Sequence, residues 1–235
     1  MIPFSPAALS IVVPAFNEAG VVAGALRRVA SQAPQAERIV VDGGSSDGTV
    51  ELARPHAKVI QSARGRAVQL NLGARESRGD WLLFLHADTA LPDGFLDEMA
   101  RAAGRGFEAG AFRLRIAGRH RLLPLLAWGA NQRTRWRGIA LGDQALFCTR
   151  RLFTGQGGFP PVSILEDYLF TLGLKQAGIP LYLARSAVTT SGRRWDQGGF
   201  WRTWWQFRMI YWRFRQGREL SRSGDRAGGG YEDVR

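Results

Sequence analysis

The chain has 235 residues, a formal net charge of +12 and a single cysteine, Cys148. One cysteine excludes an internal disulfide and a zinc site built from several cysteines. No stretch reaches the roughly 18 apolar residues that would span a bilayer, and no secretory signal pattern opens the chain, so we expect a cytoplasmic protein. The excess of arginine favours anionic partners such as nucleotide diphosphates or acidic lipid headgroups. No nucleic-acid recognition motif accompanies it, so we expect no nucleic-acid partner.

The first half of the chain alternates short apolar runs with helical patterns. Four apolar runs predict buried strands at residues 9–13, 38–42, 58–61 and 81–85. Between them, apolar residues spaced three and four apart predict helices at 19–31 and 64–77, the first with Asn17 as its N-cap. This alternation predicts an α/β fold with a mostly parallel sheet flanked by helices.

Acidic residues follow two of these strands. Asp42 ends the strand at 38–42 and precedes the glycine-rich segment 43–49, whose N–H groups would suit an anion. Asp88 follows the strand at 81–85. Ligands of open α/β sheets bind beyond the carboxyl ends of the strands. Asp88 is therefore a candidate for a metal or phosphate site, although a carboxylate here can also cap the following turn.

The second half of the chain is less regular. Helical patterns cover residues 95–103, 122–136 and 165–177, and strand patterns cover 110–116, 145–148, 181–183 and 187–189. Residues 155–161 form a glycine- and proline-rich loop, which is a candidate mobile segment. The C-terminal tail, residues 222–235, has little apolar content and is expected to be disordered.

An aromatic and basic helix is predicted over residues 200–216. Five aromatic residues step by four and three along one helix face: Phe200, Trp204, Phe207, Tyr211 and Phe214. Arginines surround this face, a combination that suits the interface of a membrane. The same face would also suit packing on the core of the chain itself or on a partner in a homodimer. A membrane contact would place the protein at the inner face of the plasma membrane.

Several motifs in order along the chain resemble those of the family 2 glycosyltransferases with the GT-A fold. They lie at residues 14–18, 42–49, 71–73 and 86–88, with weaker matches at 142–144, 166–167 and 193–195. The chain looks most similar to a compact bacterial branch with His in the acidic metal motif. The resemblance implies one domain over residues 1–221. It comprises a nucleotide-binding half (1–92), an acceptor and catalytic half (93–198) and the amphipathic helix (199–217).

The resemblance also implies a donor site for a nucleotide sugar. Phe16 would stack on the nucleobase, and Asp42 would accept a hydrogen bond from the ring N–H of a uridine-like base. Arg64 or Arg66 would meet the diphosphate. The other residues assigned to the nucleotide are Pro14, Glu18, Asp47 and Ala87. Local alternatives remain, since Phe16 can be a core residue and Asp42 and Asp47 can be turn or cap residues.

For the chemistry, the resemblance implies a divalent ion and a catalytic base. Asp88 would hold Mn²⁺ or Mg²⁺ across the diphosphate, with His86 at the position of the first acid in the metal motif. Asp167 matches the catalytic base, with Glu166 as the alternative unless it only begins a helix. Contacts with diphosphate or acceptor are assigned to Asp143, Gln144, Arg193, Arg194 and Trp195. Asp143 can equally cap a turn or help to bind a metal.

Two departures from the family pattern shape the expected activity. His86 adds no negative charge to the metal motif when it is neutral, so it can bind the metal, face the donor or do neither. The Gln-x-x-Arg-Trp element of processive synthases is absent. We therefore expect inverting, non-processive transfer to a saccharide or lipid-linked acceptor. The alternatives are a sugar-phosphate nucleotidylyltransferase and a non-catalytic membrane-binding module.

Overall fold

A computed structural model describes residues 2–215 of the chain. One eight-stranded sheet runs through both halves, with the strand order β3-β2-β1-β4-β7-β6-β8-β5. The strands are β1 Leu9–Ala15, β2 Glu37–Asp42, β3 Lys58–Gln61, β4 Trp81–Phe84, β5 Thr89–Ala90, β6 Ala109–Ala117, β7 Phe147–Thr149 and β8 Tyr182–Ser191. The helices are α1 Val22–Gln32, α2 Thr49–Ala53, α3 Arg66–Glu76, α4 Phe95–Gly104, α5 Leu123–Arg137, α6 Arg150–Gly155, α7 Glu166–Gln176, α8 Arg193–Gly198 and α9 Phe200–Arg215.

The first four strands form the predicted parallel layer. β1 lies between β2 and β4 and pairs in parallel with both, and β3 adds to the outer side of β2. Helix α3 lies very close to this layer at Gly73. A Cβ atom there would lie only 2.3 Å from Val12 Cγ1 and 2.9 Å from Val41 Cγ2. Only glycine therefore allows α3 to approach the sheet at this point.

The second half turns the parallel layer into a mixed sheet. β7 is antiparallel to both β4 and β6, whereas β6 and β8 are parallel. The two strands predicted at 181–183 and 187–189 are one strand, β8, because it pairs along the length of β6 across a register shift. The strand predicted at 145–148 begins only at Phe147, since Ala145 has a left-handed backbone with φ 46°.

Two local predictions are corrected by contacts between distant residues. Asn17 does not cap α1, because it has φ 54° and its Oδ1 accepts a hydrogen bond from the Ser46 N–H at 3.0 Å. The loop at 155–161 is anchored rather than free. The Asn71 amide donates to the Phe159 carbonyl at 2.8 Å and accepts from the Phe159 N–H at 2.9 Å. The Phe159 side chain is buried in the core.

The aromatic face of α9 packs on the chain's own helices. Phe207 stacks on Trp195 of α8, with ring centroids 5.7 Å apart. Tyr211 and Phe214 contact the ring of Tyr168 in α7, at 5.6 and 5.9 Å. Of the three alternatives for this face, the structure therefore favours packing within the chain. No helix within residues 2–215 is long and apolar enough to cross a membrane. The predicted disordered tail, 222–235, lies outside the described residues.

Candidate active site

The loops that follow β1 and β2 are joined at the carboxyl edge of the sheet. The Asn17 N–H donates to Ser45 Oγ at 2.8 Å, and the Glu18 N–H donates to Thr49 Oγ1 at 2.8 Å. Asp47 Oδ2 accepts from the Ala19 N–H at 3.0 Å. These contacts hold the two segments that were assigned to nucleotide binding in one rigid unit.

Asp42 and Asp47 both shape this unit. Asp42 is 1% exposed, and its Oδ2 accepts from the N–H groups of Gly44 and Ser45, both at 3.0 Å. Asp47 Oδ1 accepts from the Thr49 N–H at 3.1 Å. The hydrogen bond from the Thr49 hydroxyl is the main reason why the pKa of Asp47 lies below its ordinary value. The turn and cap roles considered for both residues are therefore present.

Phe16 and Arg64 form a stacked pair. The Arg64 guanidinium lies 4.1 Å from the centre of the Phe16 ring, which is cation–π geometry. Phe16 is half-buried and so is not a simple core residue. Arg64 thus lies beside the ring that was assigned to the nucleobase, whereas Arg66 pairs with Glu166 at 3.4 Å. Both arginines considered for the diphosphate therefore contact other side chains of the protein.

The charges of four carboxylates from separate segments interact: Glu18 with Asp88, and Asp143 with Asp88 and Asp167. Burial raises the pKa of Glu18, with a further contribution from Asp88, while Arg193 opposes the shift from 3.6 Å. Burial raises the pKa of Asp143 to about 6, and Asp167 and Asp88 contribute in the same direction. Like charges disfavour one another's ionised forms. Carboxylates whose charges interact in this way favour the binding of a cation or the protonation of one of their number.

His86 lies beside Gly142 and close to Asp167. A Cβ atom on Gly142 would lie 2.9 Å from His86 Nε2 and 3.1 Å from Asp167 Oδ2. The Gly142 N–H donates to the same Asp167 oxygen at 2.6 Å. Gly142 thus leaves the space in which the imidazole and the carboxylate approach each other. This residue was not among those predicted for the site, although it directly precedes the Asp143-Gln144 motif.

The two acidic residues at the start of α7 differ in their surroundings. Glu166 is 1% exposed and pairs with Arg66, whereas Asp167 is 6% exposed. Asp167 also accepts the Tyr168 N–H on Oδ1 at 2.6 Å. Asp167 is thus bound to the backbone N–H groups of Gly142 and Tyr168, whereas Glu166 ties α7 to the start of α3.

The other residues assigned to diphosphate or acceptor divide by their surroundings. Gln144 is fully buried; its Oε1 accepts from the Thr134 hydroxyl at 2.8 Å and its Nε2 donates to the Phe112 carbonyl at 3.1 Å. We therefore leave Gln144 out of the proposed donor site. Arg193 is exposed beside Glu18.

The four remaining assigned residues differ in their contacts and burial. Trp195 stacks on Phe207 of α9, and Arg194 lies 5.7 Å from the centre of the same ring. Ala87 is 5% exposed between His86 and Asp88. Pro14 lies within β1, beside Val41 of β2, and is half-buried. These contacts place Trp195 and Arg194 at the boundary with α9.

The acidic residues suit a divalent cation only if a bound diphosphate supplies further oxygen ligands. Among residues 2–215 there is no group of three or more His, Cys, Asp or Glu side chains arranged to hold a metal. Asp143 Oδ1 is nevertheless buried and accepts no hydrogen bond from the described residues. Hard cations prefer carboxylate and phosphate oxygens. The residues present therefore fit Mn²⁺ or Mg²⁺ whose remaining ligands come from a diphosphate.

Comparison with known proteins assigns the family. The model of glycosyl transferase family 2 matches residues 10–150. The chain belongs to this family. A PGL/p-HBAD biosynthesis glycosyltransferase of Mycobacterium bovis is 30% identical over 186 residues, which cover 69% of this chain and 68% of that protein. The match supports a glycosyltransferase enzyme, so we set aside the nucleotidylyltransferase and the non-catalytic module.

Solved structures similar to this chain have the GT-A fold. The mannosyltransferase PcManGT of Pyrobaculum calidifontis, bound to GDP-Man and Mn²⁺, has a TM-score of 0.65 and 19% identity. That match covers 93% of this chain and 65% of the archaeal chain. Glucosyl-3-phosphoglycerate synthase of Mycobacterium tuberculosis, bound to Mn²⁺, UDP and phosphoglyceric acid, has a TM-score of 0.57 and 20% identity, over 77% of this chain and 70% of that chain. The predicted GT-A fold is therefore confirmed.

The raised pKa of Asp143 predicts a pH-dependent cost to stability. A carboxyl with a folded pKa of about 6 binds its proton more tightly than in the unfolded chain, so stability falls as pH rises from about 4 through 6. We expect Asp143→Asn to raise the free energy of unfolding by roughly 1–3 kcal/mol at pH 8 and by less at pH 4. Urea unfolding at pH 4, 6 and 8, without metal or nucleotide, measures this.

The exposed Asp80 supplies the matched control for that experiment. Asp80→Asn removes the same charge from an exposed position outside the site, so it should change stability little at any of the three pH values. An effect of Asp143→Asn that is equal at pH 4 and pH 8 would contradict the assignment to burial of the ionised carboxylate.

Proposed function

We propose that this protein is an inverting, non-processive glycosyltransferase that moves a sugar from a UDP-sugar to an acceptor hydroxyl with a divalent metal ion. The observations that carry the proposal are the interacting charges of Glu18, Asp88, Asp143 and Asp167 and the joined loops after β1 and β2. The nucleotide of a bound donor would contact the loops, and its diphosphate would lie beside the carboxylates.

The nucleotide end of the donor would lie on the joined loops. Phe16 offers a half-buried ring, and the Arg64 guanidinium over it could share the nucleobase between two flat surfaces. Asp42 has one carboxylate oxygen bonded to two N–H groups and the other to the Ser45 hydroxyl. A carboxylate has about four acceptor positions, so one remains for the ring N–H of uracil. Such a ring N–H occurs in uracil and guanine but not in adenine or cytosine, and of these bases we propose uracil.

The diphosphate would lie between Asp88 and the nearby arginines. Asp88 would hold Mn²⁺ or Mg²⁺ together with diphosphate oxygens, with Glu18 and Asp143 close by. When bound, a divalent ion neutralises the charge that develops on the leaving diphosphate. Arg193, exposed beside Glu18, would help to stabilise that charge. His86 is turned towards Gly142 and Asp167, so we assign it to the acceptor side.

Asp167 would take the proton of the acceptor hydroxyl. Its Oδ2 is held by the Gly142 N–H at 2.6 Å, which orients the carboxylate. The acceptor oxygen would attack the anomeric carbon from the side opposite the diphosphate. The transferred sugar would therefore have the inverted configuration at that carbon. The C–O bond to the diphosphate breaks as the new glycosidic bond forms. The acceptor, a saccharide or a lipid-linked molecule, would enter from the side of α7.

Calorimetric titration with UDP tests the proposal. We expect UDP to bind in the presence of Mn²⁺ and to bind more weakly without it, and Asp42→Ala to weaken binding in both conditions. GDP and ADP are the matched ligands, because they carry the same diphosphate on a different base. No binding of any nucleotide diphosphate, or UDP binding untouched by Asp42→Ala, would overturn the proposed donor site.

A further inference from the structure

The helix α9 has a second aromatic stripe that points away from the protein. Trp201, Trp205 and Trp212 are 67%, 61% and 50% exposed. With the exposed Arg208 they are spaced four, three and four residues apart, so they line one side of the helix. This side differs from the face of Phe207, Tyr211 and Phe214, which contacts Trp195 and Tyr168. Helix α9 therefore packs one face on the protein and exposes a second set of large apolar side chains to solvent.

Helix α5 carries a matching stripe. Leu125, Trp128 and Trp136 are 60%, 59% and 76% exposed, with spacings of three and eight residues that keep them on one side of the helix. We call these three residues and the three tryptophans of α9 the tryptophan surface. The segments that lead into the two helices are in contact, since His120 stacks on Phe200 with ring centroids 4.2 Å apart. The Arg119 N–H also donates to Asp196 Oδ1 at 3.0 Å.

The charged side chains of the two helices all have one sign. Neither α5 nor α9 contains an aspartate or a glutamate. Their arginines are Arg133, Arg135 and Arg137 in α5 and Arg202, Arg208, Arg213 and Arg215 in α9. A second copy of the same surface would place arginines against arginines, which opposes a symmetric dimer through it. Tryptophan beside arginine, on helices that contain no acidic residue, complements the headgroup region of an anionic bilayer.

We propose that the tryptophan surface docks the protein on anionic lipid headgroups. The tryptophans would enter the interfacial layer and the arginines would meet lipid phosphates. The inner face of α9 contacts Tyr168, the residue after Asp167. Docking therefore holds the proposed catalytic carboxylate near the lipid surface, where a lipid-linked acceptor would lie. This last step rests on the proposed function, whereas docking itself does not.

Flotation of the full chain with vesicles tests the surface. We expect co-flotation with phosphatidylcholine vesicles that contain about one third phosphatidylglycerol, weaker binding to pure phosphatidylcholine, and loss of binding as salt rises. Two variants should lower the partition coefficient roughly tenfold or more. One is Trp201→Ser with Trp205→Ser and Trp212→Ser, and the other is Arg135→Glu with Arg208→Glu.

Matched controls use residues away from the tryptophan surface. Leu52→Ser with Val68→Ser removes exposed apolar side chains elsewhere, and Arg27→Glu with Arg28→Glu makes the same change in charge on α1. Both controls should float like the parent chain. Equal loss in the controls, or no flotation of the parent chain, would overturn the proposal. So would a dimer that the tryptophan variants dissociate in sedimentation experiments, because a second copy would then cover the surface.

The same variants separate this proposal from the proposed function. None of the substituted tryptophans belongs to the donor site, so UDP binding measured by calorimetry should be unchanged in the flotation-deficient variants. Normal UDP binding without flotation of the parent chain would sink the docking surface alone. Flotation of a chain that binds no nucleotide would leave the docking surface standing and sink the donor site.

Discussion

Asp167→Asn is expected to lower the rate of sugar transfer by about 10²- to 10⁴-fold while leaving nucleotide binding intact. The asparagine keeps the shape of the side chain and can still accept the Gly142 N–H, but it cannot take a proton from the acceptor. Because the substituted atom is not assigned to the donor, the loss should fall on kcat. UDP release from a panel of UDP-sugars, with water or added saccharides as acceptor, measures the rate.

Glu166→Gln is the matched variant for this prediction. Glu166 is almost completely buried and pairs with Arg66, so its replacement should act on stability more than on turnover. Thermal unfolding of both variants in the presence of UDP and Mn²⁺ separates the two effects. Normal turnover in Asp167→Asn together with loss of turnover in Glu166→Gln would reverse the two assignments.

Asp88→Asn is expected to lower the affinity for UDP in the presence of Mn²⁺ by roughly 100-fold or more. The variant should lose the gain in affinity that Mn²⁺ provides. Changes even to residues behind the ligands of a metal commonly cost 10- to 100-fold in metal affinity, and Asp88 is proposed as a direct ligand. The amide keeps the size of the side chain but removes its negative charge. Titration of UDP at several Mn²⁺ concentrations measures the effect, and binding without metal should change little.

His86→Asn tests the departure from the usual metal motif. His86 Nε2 lies beside Gly142, close to the Asp167 carboxylate. We therefore expect this variant to lower turnover while leaving the Mn²⁺ dependence of UDP binding close to that of the parent chain. A loss of metal dependence equal to that of Asp88→Asn would instead make His86 a metal ligand and contradict its assignment to the acceptor side.

The candidate site could be read from the sequence only in part. Phe16 and Asp42 were assigned to the nucleotide because they stand in short motifs, at the ends of predicted strands, that resemble those of the family. The signal for Gly142 was weak, since its role depends on His86 and Asp167, which other parts of the chain supply. Gln144 shows the opposite case. The motif suggested a ligand contact, but the side chain is fully buried and bonded to Thr134 and Phe112.

The aromatic helix shows the same limit. The spacing of Phe200 to Phe214 correctly predicted a helix with one aromatic face, but periodicity cannot tell which surface that face meets. Tyr168 and Trp195 cover it within the folded chain. Trp201, Trp205 and Trp212 remain exposed, although nothing in their local pattern distinguishes them from buried tryptophans.

Local patterns were sufficient for the parallel layer β1 to β4. Each of its strands is a short apolar run bounded by loops and helices, and burial on both faces of a central strand leaves that signature directly in neighbouring residues. The antiparallel insertion of β7, the continuous β8 and the acidic cluster depended on tertiary structure. They join residues far apart in the chain, such as Gly142 with Asp167 and Leu82 with Cys148. Hydrogen bonds of this kind form only when the sheet closes, so no local pattern records them.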